Sequence, residues 1–188
     1  IDLYQPKSYN FQKPIPFDIN EITGINLGYK LNNILSAALS AQSCFNLLEE
    51  SKIDYDLIIR YRFDLQFTDY VSPKCIFLDD ITKVDPNKIS VFSFPKDEDG
   101  KPTRVCEMDD IFAVGGYKPM KIFYSYFSYI LYYVYMDEDY SNWLEYHVTN
   151  PDLLSAEPLL KYHLTNNNIE INPVESGVSH WYTAGIIR

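Results

Sequence analysis

The chain has 188 residues and a formal net charge of −10, from 26 acidic and 16 basic side chains. Hydrophobic residues at 46% and charged residues at 22% are globular proportions, which exclude a disordered or fibrous chain and suit a single domain over residues 1–188. The excess of acid repels phosphate backbones and anionic lipid, so neither nucleic acid nor a membrane face is expected as the main partner, although a local basic site stays open.

The 17 tyrosines are the unusual entry in the composition, and their rings and hydroxyls serve a core as well as they serve sugars or bases. Cys44, Cys75 and Cys106 form no C-x-x-C pair, which argues against a zinc knuckle or redox pair. Their odd number, with no N-x-S/T sequon and no signal peptide, leads us to expect reduced thiols in a cytoplasmic protein. Residues 122–136 are uncharged but too short for the roughly 20 residues of a membrane span, and they read as a buried helix. The chain begins at Ile1, and we expect a fragment of something longer.

Residues 1–26 read as an irregular, Pro-rich lead-in. Ile34, Leu35, Ala38, Leu39, Phe45 and Leu48 then fall at helical spacing over residues 31–50. The β-branched and aromatic run Tyr55–Tyr61 reads as a strand, residues 70–88 as loop, Lys88–Phe94 as a second strand, and residues 96–102 as a charged turn. Pro119 is placed as the first residue of a long helix to residue 136, with Met120, Phe123, Tyr124, Phe127, Leu131 and Val134 on one face. Ser155 is a suitable N-cap for a helix that stops at Asn166-Asn167-Asn168, and Ile169–Ile171 reads as a last strand. The alternation of helix and strand predicts an α/β layered architecture.

Three segments can carry chemistry. The strand Tyr55–Tyr61 runs into Arg60, Arg62 and Asp64; the arginine forks suit phosphate oxygens and the carboxylate suits a divalent cation. The same spacing also describes an exposed strand end whose arginines pair with nearby carboxylates. Glu107, Asp109 and Asp110 precede a short apolar strand, Ile111–Val114, and the pair Gly115-Gly116, an arrangement that permits a general base. It equally describes a charged loop before an edge strand, with the glycines as a turn. Glu157 lies in the first turn of the late helix, where the dipole favours an anion without any catalytic role. His163 shares the apolar face of Leu160 and Leu164 and reads as a core histidine; His180 is a candidate metal ligand. The chain has no G-x-S-x-G, H-E-x-x-H, G-x-G-x-x-G, P-loop or D-x-D-x-T pattern.

In order, "NILSAALSAQSCFNLLEES", "YDLIIRYRFDLQF", "DDIFAVGGYKPMKIF" and "EPLLKYHLTNNNIEI" resemble the nucleotide-sugar-dependent glycosyltransferases of bacterial lipopolysaccharide and capsule clusters and of large algal DNA viruses. The resemblance covers roughly residues 30–172 and implies a GT-A-like, Rossmann-like mixed sheet flanked by helices. It implies sugar transfer from a nucleotide-diphosphate donor to a hydroxyl of a glycan or glycolipid acceptor, with Mn²⁺ or Mg²⁺, in the cytoplasm or at the inner membrane face. By the same resemblance Asp64 is the metal ligand, Arg60, Arg62 and Asp109 contact the donor, and Asp110 and Glu157 are the catalytic carboxylates, Asp110 as the base.

Two departures bear on this. Arg62 stands where the family's D-x-D motif has its first aspartate, and the family's opening strand with S-G-x-x-R has no counterpart in residues 1–29. Either the chain lacks its N-terminal part or that half of the site is supplied elsewhere. A glycan-binding or scaffolding domain that kept the fold without turnover is the competing expectation.

Overall fold

The computed structural model describes residues 28–61, 83–93, 108–147 and 155–175. The lead-in, the charged turn, Cys75, Cys106 and His180 lie outside the described residues, and Cys44 is a free, exposed thiol. In chain order the elements are α1 (Gly28–Glu50), β1 (Ile58–Tyr61), β2 (Ile89–Ser93) and β3 (Met108–Gly115). They continue with α2 (Tyr117–Ser125), a 3₁₀ turn (Tyr126–Tyr129), α3 (Ile130–Tyr135), α4 (Glu138–His147), α5 (Ala156–Asn166) and β4 (Ile171–Glu175). The chain is thus mixed α/β, and no described helix is long and apolar enough to cross a membrane.

The strands form one mixed sheet in the order β1-β3-β2-β4. β3 runs antiparallel to both β1 and β2, whereas β4 lies parallel to β2. Ile58, Ile89, Val91 and Ala113 face a core closed by Leu31, Leu35 and Ala38 of α1, Met120 and Phe123 of α2, and Leu159, Leu160 and Leu164 of α5. On the opposite face Phe92 and Phe112 stack at 4.8 Å. Where α1 ends and α2 begins, the Tyr117 hydroxyl and Lys121 Nζ both donate to Glu49 Oε1, at 2.6 and 2.7 Å.

Several sequence expectations shift. Strand β1 starts at Ile58 rather than Tyr55, and β4 starts at Ile171 rather than Ile169 because the residues between finish α5. Asn168 takes φ 56°, and the amides of Asn168 and Ile169 donate back to Thr165 and Leu164. That left-handed stop is readily made by asparagine. Asp109 and Asp110 lie inside β3, not ahead of it: β2 advances by two residues from Val91 to Ser93 while β3 covers five from Ala113 to Met108. The bulge absorbs the polar residues within the strand. Ser155 holds the N-cap position, with φ −141° and ψ 164°, but its hydroxyl makes no cap bond. Pro119 is the third helical residue, after the N-cap Gly116, where its missing amide hydrogen still costs no intrahelical bond. The helix α4 was not expected at all.

The glycine pair serves close approach rather than a turn. Gly116 has an ordinary φ of −75°, and its amide donates to the Pro86 carbonyl at 3.0 Å. A Cβ on Gly116 would lie 2.4 Å from that carbonyl oxygen, and one on Gly115 would lie 2.6 Å from the Lys88 oxygen.

The long helix expected over residues 119–136 is interrupted by the 3₁₀ turn, and the interruption has a side-chain cause. The Ile122 carbonyl accepts from Ser125 Oγ at 2.9 Å and from His163 Nε2 at 3.1 Å, so side chains compete for a ladder acceptor at this point. Beyond the break the fully buried positions are Tyr126, Ile130 and Tyr133, with the expected Phe127, Leu131 and Val134 partly buried against the same core. His163 is the buried core histidine that its sequence position suggests. Because a carbonyl only accepts, Nε2 carries the proton, and Nδ1 accepts from the Tyr133 hydroxyl at 2.7 Å. Burial lowers the His163 pKa to about 4, opposed by the Ile122 bond.

Two measurements check this packing. Gly116→Ala should lower unfolding free energy by about 1–3 kcal/mol in denaturant titrations, since the new methyl meets main-chain atoms. The folded-state pKa of His163 lies below its ordinary 6.5, so the unfolded chain takes the proton first. The stability due to neutral His163 is therefore complete above pH 6.5 and lost as pH falls towards about 4. Thermal melts across that window should show a smaller acid loss for His163→Gln than for the parent chain.

Candidate functional site

Antiparallel pairing sets β1 beside the carboxyl-terminal half of β3, with Arg60 opposite Ala113 and Tyr61 opposite Phe112, so that the carboxyl end of β1 points towards the start of β3. Strand alternation turns Ile59 outward and points Arg60 to the same side as buried Ile58. From there Arg60 Nη1 donates to the main-chain carbonyl of Asp110, and Nη2 stands 3.7 Å from Asp110 Oδ2. The two side chains retain 13% and 17% of their exposure, enough to meet solvent but too little to be freely hydrated. The guanidinium also lies over the Phe123 ring, 5.3 Å from its centroid, a contact whose electrostatics favour a cation.

The 3₁₀ turn begins at a tyrosine near enough to feel the charges of this pair. Tyr126 is 2% exposed, and burial pushes its phenol well above the ordinary tyrosine range. Asp110 and Glu157 push it the same way, while Arg60 opposes them. That hydroxyl therefore lies in the combined field of three residues singled out in the sequence: Arg60 from β1, Asp110 from the bulge of β3, and Glu157 from the first turn of α5. Neighbouring Tyr124 is raised to about 12 by burial, again opposed by Arg60.

The structure thus brings Arg60 and Asp110 together, while Glu157 is linked to them only through the field each exerts on the Tyr126 hydroxyl. Part of this matches the plainer reading of the arginines, since Arg60 does pair with a carboxylate. Asp109 shares the strand backbone, while Arg62 and Asp64 lie outside the described residues. Among the described residues no three His, Cys, Asp or Glu side chains converge as a group able to hold a metal ion. Neither Tyr126 nor Phe123 stands out in the sequence as a site residue: Phe123 falls on the apolar face of the expected helix, and Tyr126 lies off that face. No protein-family model, curated protein or solved structure matches the chain.

The arrangement offers a largely buried carboxylate that still meets solvent, beside a guanidinium that restrains its backbone and rests on the Phe123 ring. Such a site can orient a polar ligand and accept a proton from it. Because Arg60 bonds to the carbonyl as well as facing the carboxylate, Arg60→Ala should cost about 1–3 kcal/mol of stability through an unsatisfied partner and lost packing. Asp110→Asn, which keeps the carbonyl, should cost less in the same denaturant titration.

Proposed function

We propose that this chain is a glycosyltransferase of GT-A-like fold that moves a sugar from a nucleotide-diphosphate donor to a hydroxyl of a glycan or glycolipid. The observation that carries the reading is the register of β1 against β3, which sets Arg60 against Asp110. The ordered resemblance of the four sequence segments supplies the reaction class. Glu157, whose field reaches the same Tyr126 hydroxyl, supports the placing of both carboxylates in one site.

In this reading an Asp110 carboxylate oxygen takes the proton of the acceptor hydroxyl as that oxygen bonds to the anomeric carbon. The bond from the anomeric carbon to the diphosphate breaks, and its electron pair leaves with the nucleotide. Arg60 fixes the Asp110 backbone, which keeps the base in place while the acceptor approaches from the open side. Glu157 receives an acceptor hydroxyl by hydrogen bonding. Arg60, Arg62 and Asp109 make the contacts to the donor. Asp64 would hold a divalent cation, Mn²⁺ or Mg²⁺, which when bound offsets the charge of the leaving diphosphate. The cytoplasm, including the inner membrane face, is the proposed place of action.

The test uses the protein with nucleoside diphosphates, nucleotide sugars and a divalent cation. Thermal stabilisation by a nucleoside diphosphate that requires Mn²⁺ is expected for the transferase and not for a glycan-binding module. Asp110→Asn should slow an inverting transfer by at least about 100-fold while donor affinity stays within a few-fold. Near-normal inverting transfer by a folded Asp110→Asn protein would remove Asp110 from the chemistry. Product stereochemistry must be read alongside rate, because a retaining transfer needs no such base.

A further inference from the structure

Beyond the Arg60–Asp110 site, the helical run from the 3₁₀ turn through α3 leaves an aromatic stripe uncovered. Tyr129 is 46% exposed, Tyr132 53% and Met136 72%. Their spacing of three and four residues places them on one helical face. The rings are held from beneath: Tyr129 stacks on Tyr133 at 5.9 Å and 21°, and Tyr132 meets Tyr133 edge-on, also at 5.9 Å. Tyr129 further packs 5.0 Å from the His163 ring, and Tyr133 and His163 are both buried and bonded to each other. Two exposed tyrosines thus rest on a fixed layer, so a ligand that stacks on them immobilises little that is still free.

We propose that Tyr129 and Tyr132 form a stacking platform for a neutral oligosaccharide, the outer part of the acceptor, an assignment that rests on the transferase reading for its place in the reaction. The chemistry of the stripe selects this occupant. Each exposed ring offers an apolar face with a hydroxyl at its rim, which complements a sugar ring with C–H groups on its face and hydroxyls at its edge. The stripe ends at the exposed carboxylates of Glu138 and Asp139, which accept hydroxyl hydrogen bonds and repel anionic lipid or an identical stripe on a second copy.

Position adds a further argument. Tyr129 closes the 3₁₀ turn that opens with Tyr126, whose hydroxyl lies in the field of Asp110 and Glu157. His163, against which Tyr129 packs, lies six residues after Glu157 on α5, about 9 Å along the helix axis.

The experiment titrates the whole chain, without donor, with cellotetraose, chitotetraose and maltotetraose in turn, following tyrosine ring resonances by NMR. Saturable shifts at Tyr129 and Tyr132 are expected with at least one of them. Tyr132→Ser should weaken that binding roughly 2- to 10-fold without moving the melting temperature, Tyr132→Phe should retain it, and Tyr129→Ser with Tyr132→Ser should abolish it. Absence of shifts with all three sugars overturns the proposal, as does unchanged binding in Tyr132→Ser. A dimer that Tyr132→Ser dissociates in sedimentation also overturns it, since the stripe would then be a protein interface. Saccharide binding that depends on Tyr132 in a chain without any transfer activity sustains the platform and sinks the transferase. Transfer activity indifferent to Tyr132→Ser, with no saccharide shifts, does the reverse.

Discussion

The contact on which the site depends is the reach of one arginine across two strands. Arg60 donates to a main-chain carbonyl within the β3 bulge, an acceptor that the irregular register leaves off the β2 ladder. A bulge needs its freed backbone groups satisfied, and a guanidinium, with five donors in a rigid plane, can serve a carbonyl and approach a carboxylate at once. The bulge in turn sets where Asp110 stands. Phe123 and the buried sheet face fix the arginine, so the polar pair is defined by the apolar core behind it.

A second long-range contact sets the other side of the site. His163, from the last helix, takes a share of the Ile122 carbonyl, and the helix that begins at Tyr117 tightens into a 3₁₀ turn just beyond it. The turn rotates the buried face, bringing Tyr126 inward and leaving Tyr129 outward. Position on the aromatic run therefore depends on a residue nearly forty positions away, and the dense ring packing of Tyr133, Tyr140, Trp143 and Tyr162 secures the far end of that run.

What the sequence revealed and concealed follows from the range of the forces involved. The apolar spacing of Leu31, Ile34, Leu35 and Ala38 is local, and α1 was legible from it. So were the strands around Ile58 and Ile89, with their β-branched runs, and the asparagine stop of α5. The helix α4 is not legible in the sequence because Asp139, Ser141 and Asn142 look like a loop, although Tyr140, Trp143 and Leu144 turn inward. The start of β3 was hidden by its two aspartates, which a strand tolerates here because a bulge and an arginine receive them. Arg60, Asp110 and Glu157 could each be picked out from residue type. The meeting of Arg60 with Asp110 could not, because it depends on antiparallel register, and a rule for the carboxyl ends of parallel strands would not have pointed the end of β1 towards the start of β3. Tyr126 looked like any other aromatic of an apolar helix.

The outer strand β4 has a consequence for how copies of this chain behave together. It lies at the edge of the described sheet, parallel to β2, with Pro173 opposite Val91. Proline has no amide hydrogen to donate, and it is accommodated in a sheet where that missing donor faces away from the ladder. A foreign strand approaching this rim would find a gap in the row of donors and a ring that holds it off. The edge thus accepts a neighbour on one side only, which limits the growth of the sheet into fibrillar aggregates without spending any core residue on the task.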